Sequence, residues 1–281
     1  MKSLIIVVSI TLLLYIGIEP LAHSIMHPHV PPADFSFKDV HSISLKGDEV
    51  KGKEAFVSNC VGCHSLNVDN IKAPMSDTEA AQSYGVVPPD LSSAGAIYDA
   101  NYLVAFIKDP IKTAHIDHKF NDTHPYPMPS YAWMEEQEIV DIVAYLLAIA
   151  PTKLSNKTVF VDACGRCHSM QYDAFYALTS DETLKVYMGT KAPDLSMIIR
   201  AKNVNYLHTF MNEPQKFLVG TSMPRVGLTQ NSQKQVIDYL ESVGDRKKDE
   251  RENLGLKIIL FTLAMAIVAY FWKVKIWREV E

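Results

Sequence analysis

Cysteine is scarce in this chain, with only four among 281 residues, and all four fall in two matching patterns. The patterns run from Cys60 to His64 and from Cys164 to His168, each with the spacing Cys-x-x-Cys-His. No cysteine is left over for a disulfide or a reactive thiol, so cysteine does not indicate the redox compartment. An excess of basic charge is also lacking, because 27 Lys and Arg stand against 32 Asp and Glu. A nucleic-acid partner is therefore not expected.

The apolar residues that exceed those of an ordinary soluble chain are concentrated at the two ends. The first run, Leu4 to Ile18, is fifteen residues long and follows Lys2. It is shorter than the roughly 20 residues that span a bilayer, which suits an export signal or a thin anchor. The segment Ala22-His23-Ser24 has the small-x-small pattern of a cleavage site. We predict that residues 1–25 form an N-terminal anchor or a signal segment, and both alternatives deliver the following residues to the outside.

The second apolar run, Ile258 to Trp272, is extended on its N-terminal side by residues 254–256, with only Lys257 between them. The long side chain of Lys257 can reach the membrane interface, so residues 254–273 predict a transmembrane helix. A buried core helix is the alternative, but such a helix rarely lacks a polar face over this length. Basic residues at positions 273, 275 and 278 mark this end as cytoplasmic.

An internal repeat connects the two cysteine patterns at an offset of 104 residues (164 − 60). The same offset relates Pro89-Asp90-Leu91 to Pro193-Asp194-Leu195, whereas Met128-Pro129 and Met223-Pro224 are 95 residues apart (223 − 128). The first copy therefore has a longer loop, around residues 115–127. Repetition at a fixed period indicates duplicated units, and we predict two tandem domains, residues 45–150 and 151–245.

Each copy is predicted to be mostly helical, with three short helices. One leads through the cysteine pattern (49–64 and 158–168), and a second follows the Pro-Asp-Leu segment and ends at Asp109-Pro110 in the first copy. A third, at 135–148, carries an apolar stripe. The residues of that stripe are Ile139, Ile142, Val143, Leu146 and Leu147, with Val236, Ile237 and Leu240 in the second copy. Phe56 and Phe160 share a helix face with the first cysteine of each pattern and are expected in the core.

The Cys-x-x-Cys-His spacing is that of covalent haem attachment. Two intervening residues let both thiols reach the two vinyl groups of one haem, and the adjacent histidine then points its imidazole at the iron. A zinc site built from both cysteine pairs is one alternative, and a thioredoxin-like dithiol is another. The histidine in each copy and the repeated helical context favour haem, so we predict two covalently bound c-type haems, with His64 and His168 as iron ligands.

The second axial ligand of each iron is predicted to be a methionine. Met128 and Met223 occupy equivalent positions between the second and third helices, and a thioether there raises the reduction potential and closes the site to substrate. Core-filling methionines are the alternative, and a histidine of the longer loop could replace Met128. The loop histidines are His115, His118 and His124, otherwise expected to be solvated. His23, His27 and His29 could bind a metal near the membrane, and His208 is expected at the surface.

Pro89 and Pro193 are expected to offer backbone carbonyls to the Nδ1–H groups of His64 and His168. Such a hydrogen bond would fix the imidazole orientation and its basicity. Leu91 would pack on the haem ring, as would its counterpart Leu195. The alternative interpretation of both prolines is a plain turn.

Each copy resembles a class I cytochrome c domain through its CxxCH motif, Pro-Asp-Leu loop and later Met-Pro. The segment Asp249 to Lys257, followed by the apolar run and Trp272-Lys273-Val274-Lys275-Ile276-Trp277, resembles the C-terminal anchor of cytochrome c1. The chain as a whole is similar to the di-haem cytochrome c subunit of some bacterial quinol–cytochrome c reductase (cytochrome bc1) complexes. Ordinary cytochrome c1 differs in having one CxxCH and a single haem domain.

The resemblance implies two tandem class I cytochrome c domains, anchored in the cytoplasmic membrane and facing the periplasm. It also implies a relay in which a Rieske iron–sulfur protein reduces one haem, and a soluble cytochrome c or an oxidase accepts the electron. Cytochrome b and the Rieske protein would be the partners, and no independent catalysis is expected. The alternatives are a di-haem subunit of a terminal oxidase, a free membrane-tethered shuttle and a di-haem peroxidase.

Overall fold

The computed structural model describes residues 2–26 and 33–280. Within these ranges the chain is helical, and its β structure is limited to isolated bridges such as that between Leu66 and Ile71. Backbone contacts divide the chain into a body, residues 1–244, and a tail, residues 245–281. His27 and His29, considered above as metal ligands, lie outside the described residues, as does the side chain of His23.

The described chain opens with an apolar helical segment. It consists of α1 (Lys2–Leu12), a π-helical stretch (Leu13–Ile18) and α2 (Glu19–Met26). The 18-residue window Ile5–Ala22 has a mean hydropathy of 2.2, and its side chains are exposed. By length and composition this segment could cross a membrane, and a signal sequence near an N-terminus has the same properties. Both alternatives for residues 1–25 therefore stay predictions.

Two sets of helices follow in the body in the same order. The first copy contains α3 (Glu49–Asn59), α4 (Asp77–Tyr84), α5 (Ala94–Ile97), α6 (Ala100–Lys108), α7 (Pro110–Thr113) and α8 (Glu136–Ile149). The second copy contains α9 (Asn156–Cys164), α10 (Asp181–Met188), α11 (Ile198–Ala201), α12 (Val204–Asn212), α13 (Pro214–Phe217) and α14 (Gln230–Gly244). The prediction of three helices in each copy was too low, because the short helices that shape the loops carry no apolar stripe.

The spacing of matching helices follows the sequence repeat. Helices α4 to α7 recur as α10 to α13 at 104 residues (181 − 77), and α8 recurs as α14 at 94 residues (230 − 136). The side chains that begin the helices also correspond, because each accepts a backbone N–H of the first turn. At the offset of 104 residues these N-caps are Ser76 and Ser180, and Asp99 and Asn203. Asp48 and Ser155, which cap α3 and α9, are instead 107 residues apart (155 − 48). Equivalent residues therefore start the second and fourth helices of each copy.

The first and last helices of the first copy cross at close range. A Cβ atom on Gly52 of α3 would lie 1.9 Å from the backbone oxygen of Asp141 in α8, so only glycine permits this approach. Phe56, one turn further along α3, is fully buried in the core that the two helices share, and its counterpart Phe160 is fully buried between α9 and α14. The two phenylalanines are therefore core residues, as predicted.

The apolar stripe of α8 is buried as predicted, with one exception. Ile139, Ile142, Val143 and Leu146 are at most 3% exposed, whereas Leu147 is 44% exposed. Leu147, which was predicted on the same stripe, faces solvent instead, because a step of 100° from Leu146 carries the next side chain away from the buried face. In the second copy, Val236, Ile237 and Leu240 are all buried.

The longer loop of the first copy packs against the second copy. The ring of Phe120 lies 5.4 Å from that of Tyr187, and both residues are buried. His124 Nε2 lies 2.8 Å from the backbone oxygen of Tyr187, and His118 Nε2 lies 3.1 Å from that of Thr221. His118 is exposed, but His124 is half-buried, so the prediction of a fully solvated loop was wrong in this part.

Residues 33–41, which we call the strap, contact both copies before α3 begins. Phe37 is 1% exposed, and its ring lies 5.4 Å from the ring of Tyr102 in the first copy. On the second copy, the guanidinium carbon of Arg225 lies 4.8 Å from the centre of the Phe37 ring. Asp39 accepts hydrogen bonds from Arg225 at 2.5 and 2.8 Å. The strap therefore joins the two copies.

The tail consists of a single helix, α15 (Lys248–Val280). It contains a candidate membrane span, Lys248–Arg278, whose apolar window has a mean hydropathy of 2.2 and no buried residue. The helix is longer than the predicted span of 254–273, because the charged residues at 248–251 continue it on the N-terminal side. By length and composition it could cross a membrane.

Candidate functional site

Each cysteine motif begins at the last turn of a helix. Helix α3 ends at Asn59 and α9 ends at Cys164, earlier than the predicted ends at residues 64 and 168. Backbone hydrogen bonds continue the turn, since His64 N donates to Cys60 O at 2.9 Å and His168 N donates to Cys164 O at 2.9 Å. The two thiols and the imidazole of each motif are therefore held on one tight turn.

Both imidazoles have a backbone partner in the Pro-Asp-Leu loop. His64 Nδ1 lies 2.9 Å from Pro89 O, and His168 Nδ1 lies 2.8 Å from Pro193 O. A carbonyl can only accept, so Nδ1 carries the proton and Nε2 keeps a lone pair that can bind a metal. The hydrogen bonds expected from the sequence are present in both copies.

The Pro-Asp-Leu loops are themselves tied to the residue that follows each histidine. Leu91 N donates to Ser65 O at 2.9 Å, and Leu195 N donates to Ser169 O at 3.0 Å. Ser65 Oγ and Ser169 Oγ also accept a backbone N–H eight residues later, each at 3.0 Å. The carbonyl that faces each imidazole is thus fixed by a loop of the same geometry in both copies.

Burial controls the protonation of the motif residues. Desolvation lowers the pKa values of His64 and His168, so both imidazoles are neutral at neutral pH. Desolvation also raises the pKa values of Cys60 and Cys164 to about 12. Thiols of such high pKa are poor nucleophiles, which argues against the dithiol alternative.

One cavity is lined by both cysteine motifs. It encloses about 1660 Å³ of space, including the part that is open to solvent. The predicted haem and iron ligands that line it are Cys60, Cys63, His64 and Met128 from the first copy, and Cys164, Cys167, His168 and Met223 from the second. Apolar and aromatic side chains such as Leu103, Phe106 and Tyr98 form most of the remaining wall. The predicted thiols, imidazoles and methionines of the two sites therefore meet around one continuous space. Pro89 and Leu91 also line it, whereas their counterparts Pro193 and Leu195 are not among its described lining residues.

Both candidate methionines lie on irregular segments that a hydrogen bond three residues later ties to a neighbouring helix. In the first copy, Tyr131 OH donates to Asn59 O at 3.0 Å, which ties the Met128 segment to the end of α3. In the second copy, Val226 N donates to Met211 O at 3.2 Å, which ties the Met223 segment to α12. Each methionine therefore has a defined place on the wall of the cavity.

The loop histidines are directed elsewhere. His115 Nε2 lies 3.2 Å from Asp39 Oδ2, and its Nδ1 lies 3.6 Å from Glu213 Oε2. His118 and His124 face backbone oxygens of the second copy, as described above. None of these three histidines is among the described residues that line the cavity. The geometry therefore argues against a histidine in place of Met128. His208, predicted at the surface, is instead half-buried, with Nδ1 at 3.0 Å from Gln233 Oε1.

The residues around this cavity fit covalent haem. Each motif presents two thiols and a neutral imidazole on one turn, and a thioether lines the same apolar space. A zinc cluster does not fit, because no three His, Cys, Asp or Glu side chains converge in the part of the chain that the structure describes. The cavity also contains Arg166 and Arg225, whose Nε atoms are buried without a hydrogen-bond partner. Such donors suit the carboxylate groups that a haem carries.

Sequence reasoning missed several residues of the wall. Arg166 stands between the two cysteines of the second motif. A charged residue at that place, directly after α9, was the signal that the sequence offered. Away from the wall, it also missed two matching hydrogen bonds, from Tyr145 OH to Asp69 Oδ2 at 2.5 Å and from Tyr239 OH to Asp173 Oδ2 at 2.7 Å, which the repeat could have revealed. Arg225 carried no local signal, because its partners Asp39 and Glu213 are distant in the chain.

The first copy also resembles known proteins in sequence. Residues 49–150 match the sequence model of the Cytochrome c family. A cytochrome c-550-like protein of Trichodesmium erythraeum (strain IMS101) is 29% identical over 107 residues, which are 37% of this chain and 55% of that relative. The chain thus matches about half the length of this curated relative. A solved chain titled "Hyperthermophilic respiratory Complex III" aligns over 100% of this chain and 98% of its own length, with 17% identity and a TM-score of 0.35. Residues 49–150 are therefore a cytochrome c domain, and this family implies electron transfer by a covalently bound c-type haem.

Proposed function

We propose that the chain is a membrane-anchored electron-transfer subunit with two c-type haems, one in each copy. Residues 45–150 would carry the first on Cys60 and Cys63, and residues 151–245 would carry the second on Cys164 and Cys167. The observation that supports the second haem is the repetition of the whole site, including the histidine-to-proline hydrogen bonds at 2.9 and 2.8 Å. The second copy thus repeats the cysteine motif, the histidine-to-proline hydrogen bond and the methionine of the first.

The side chains around each haem would determine how it reacts. The carbonyls of Pro89 and Pro193 orient the two imidazoles and keep the proton on Nδ1, so Nε2 of each would be available to hold the haem iron. Met128 and Met223 would be the second ligands, which leaves no open coordination position. The haem iron supplies one-electron oxidation and reduction. The apolar wall keeps water away, so the expected activity is electron transfer without bond chemistry on a substrate.

The proposed place in the respiratory chain rests on the tail. The charged residues of 249–257 and the following apolar span resemble the anchor of cytochrome c1, which favours a quinol–cytochrome c reductase with cytochrome b and a Rieske protein. Lys273, Lys275 and Arg278 would lie on the cytoplasmic side, so the haem copies would face the periplasm. Electrons would pass from the Rieske protein through the two haems to a soluble cytochrome c or an oxidase.

The number of haems is the first test. Intact mass and the pyridine haemochrome spectrum are expected to show two covalent haems per chain. Alanine at Cys164 and Cys167 should remove one haem, and the matched change at Cys60 and Cys63 should also remove one. A wild-type chain that carries a single haem would contradict the proposal.

The partners are tested by purification in a mild detergent. Cytochrome b and a Rieske protein are expected to co-purify with the chain in a constant ratio. A haem protein that purifies alone under the same conditions would instead support a membrane-tethered shuttle. Cyanide binding provides a separate control, because rapid binding at one haem would favour a peroxidase over two methionine-ligated haems.

A further inference from the structure

Helix α5 of the first copy lies in a groove of the second copy, between α9 and α14, which we call the filled groove. Ile97 of α5 is 1% exposed and belongs to the core of the second copy. Contacts across the groove run from Ser93 Oγ to Asp162 Oδ2 at 2.5 Å, from Thr229 N to Ile97 O at 3.0 Å, and from Ser232 Oγ to Ala96 O at 3.5 Å. The first copy therefore inserts one of its helices into the second.

The first copy has a matching groove between α3 and α8, which we call the free groove. At the repeat offsets of 104 and 94 residues, the positions equivalent to Asp162, Thr229 and Ser232 are Ser58, Glu135 and Glu138. These three residues are exposed, whereas Ser232 is 1% exposed. Trp133, two residues before Glu135, is 69% exposed. The free groove is thus open at the positions where α5 covers the filled groove.

The free groove is acidic. Glu54, one turn before Ser58 on α3, adds a third carboxylate to those of Glu135 and Glu138. None of the three carboxylates has an ion-pair partner in the part of the chain that the structure describes, whereas the neighbouring Glu136 is held by Lys108. In the filled groove a serine hydroxyl faces a carbonyl of α5, but an ionised carboxylate at that position can only accept. The free groove therefore requires an occupant with positive charge.

Helix α11, the counterpart of α5, is basic. Arg200 and Lys202 stand where α5 has Ala96 and Tyr98 (200 − 96 and 202 − 98, each 104), and both are exposed. Ala201, at the position of Ile97, is exposed as well. The chain thus presents a basic form of the inserted helix on its second copy and an acidic form of the groove on its first.

The contacts of the filled groove indicate which residues would meet in the free groove. Arg200 would face Glu138, and Lys202 would face Glu135 and Trp133. The counterparts of these residues are neighbours in the filled groove, since Ala96 O lies 3.5 Å from Ser232 Oγ and Tyr98 forms a β-bridge with Leu228, next to Thr229. Two pairs of opposite charge and a cation over an indole ring are complementary contacts.

We propose that the free groove of one chain binds α11 of a second copy of this chain. Such a contact is heterologous, because two different surfaces meet. It would also lie close to the first cysteine motif, since the ring of Trp133 is 6.1 Å from that of Tyr131, which lines the cavity. With two haems per chain, the contact would connect the second haem of one chain to the first haem of the next. That route for electrons rests on the proposed function, whereas the contact itself does not.

The test is carbodiimide cross-linking of the haem-loaded full chain in lipid vesicles. This reagent joins a carboxylate directly to a lysine that contacts it. Unlabelled and isotope-labelled chains are mixed in detergent before reconstitution, so that mass spectrometry distinguishes links between chains from links within one chain. We expect Lys202 to be linked to Glu135 or Glu138, with labelled chains joined to unlabelled ones.

A charge swap tests the pairing of residues. Arg200→Glu and Glu138→Arg each bring like charges together, so each should lower the yield of the link between Lys202 and Glu135 about tenfold. Both changes in one chain should restore the yield. The haem content of all variants should equal that of the wild-type protein, because both positions are exposed.

Asp122→Arg and Lys153→Glu are the matched controls, because they reverse charges on exposed loop residues outside both surfaces. A link found only within single chains would overturn the proposal, as would single changes at the two pairing positions with no more effect than these controls. Free-groove carboxylates linked to a basic redox protein instead of Lys202 would also overturn it and assign the groove to that partner. A wild-type chain with one haem and an intact link would reject the two-haem function and the electron route alone.

Discussion

The strap offers a sharp test of how the two copies are held together. Phe37 is 1% exposed and lies between the ring of Tyr102 in the first copy and the guanidinium of Arg225 in the second. Phe37→Ala would remove this contact and leave a cavity at the junction. Phe35→Ala is the matched control, because Phe35 is only half-buried and its ring touches His208 at a centre distance of 5.9 Å.

The expected magnitude follows from the burial of the ring. Truncation of a fully buried phenylalanine lowers the free energy of unfolding by about 3–5 kcal/mol. Loss of the cation–π contact with Arg225 adds about 0.5–2 kcal/mol, and relaxation of the strap offsets part of the sum. We expect a net loss of about 4 kcal/mol, and about 2–4 °C per kcal/mol for a unit of this size gives a fall in Tm of about 8–16 °C.

The assay is thermal unfolding of the haem-loaded protein in detergent, followed by far-UV circular dichroism. Phe35→Ala should lower the free energy of unfolding by only about 1 kcal/mol, as expected for a half-buried ring. If the two variants unfold at the same temperature, the strap does not stabilise the junction and this reasoning is wrong.

Three further predictions concern the core, the iron ligand and the loss of stability at low pH. Gly52→Ala should lower the free energy of unfolding by about 1–3 kcal/mol in chemical denaturation, because the added Cβ meets the Asp141 oxygen. Gly62→Ala, where a Cβ meets nothing within 4 Å, should leave it unchanged, and equal effects would contradict the packing argument. Met128→His should lower the potential of one haem in a redox titration and leave it low-spin, whereas an unchanged titration would exclude Met128 as a ligand. Hydrogen bonds from Arg225 lower the pKa of Asp39 to about 2. The stabilisation by Asp39 is thus complete above about pH 4 and is lost as the pH falls toward 2. We expect the free energy of unfolding to fall less steeply between pH 4 and pH 2 in Asp39→Asn than in the wild-type protein. Because this carboxylate is half-exposed, the difference should be no more than about 1 kcal/mol.

Some features of this protein could be predicted because the residues that form them lie close together in the sequence or recur at a fixed spacing. Two cysteines and a histidine within five residues stay close together wherever the chain turns, so Cys60 to His64 could be assigned from spacing. The carbonyl of Pro89 could be placed against His64 because a Pro-Asp-Leu segment follows the motif histidine after 25 residues in both copies (89 − 64 and 193 − 168). Phe56 and the stripe of α8 followed from helical periodicity, and periodicity failed only at Leu147, on the edge of the stripe.

The duplicated motif, the methionine positions and the apolar ends were determined by the sequence alone, since repeats and runs are properties of order along the chain. The tertiary structure decided that the two candidate sites share one cavity and that His124 contacts Tyr187. It also decided that Phe37 and Arg225, far apart in sequence, stack on each other. Such contacts depend on how packed helices orient side chains from distant segments, and no local pattern records that arrangement.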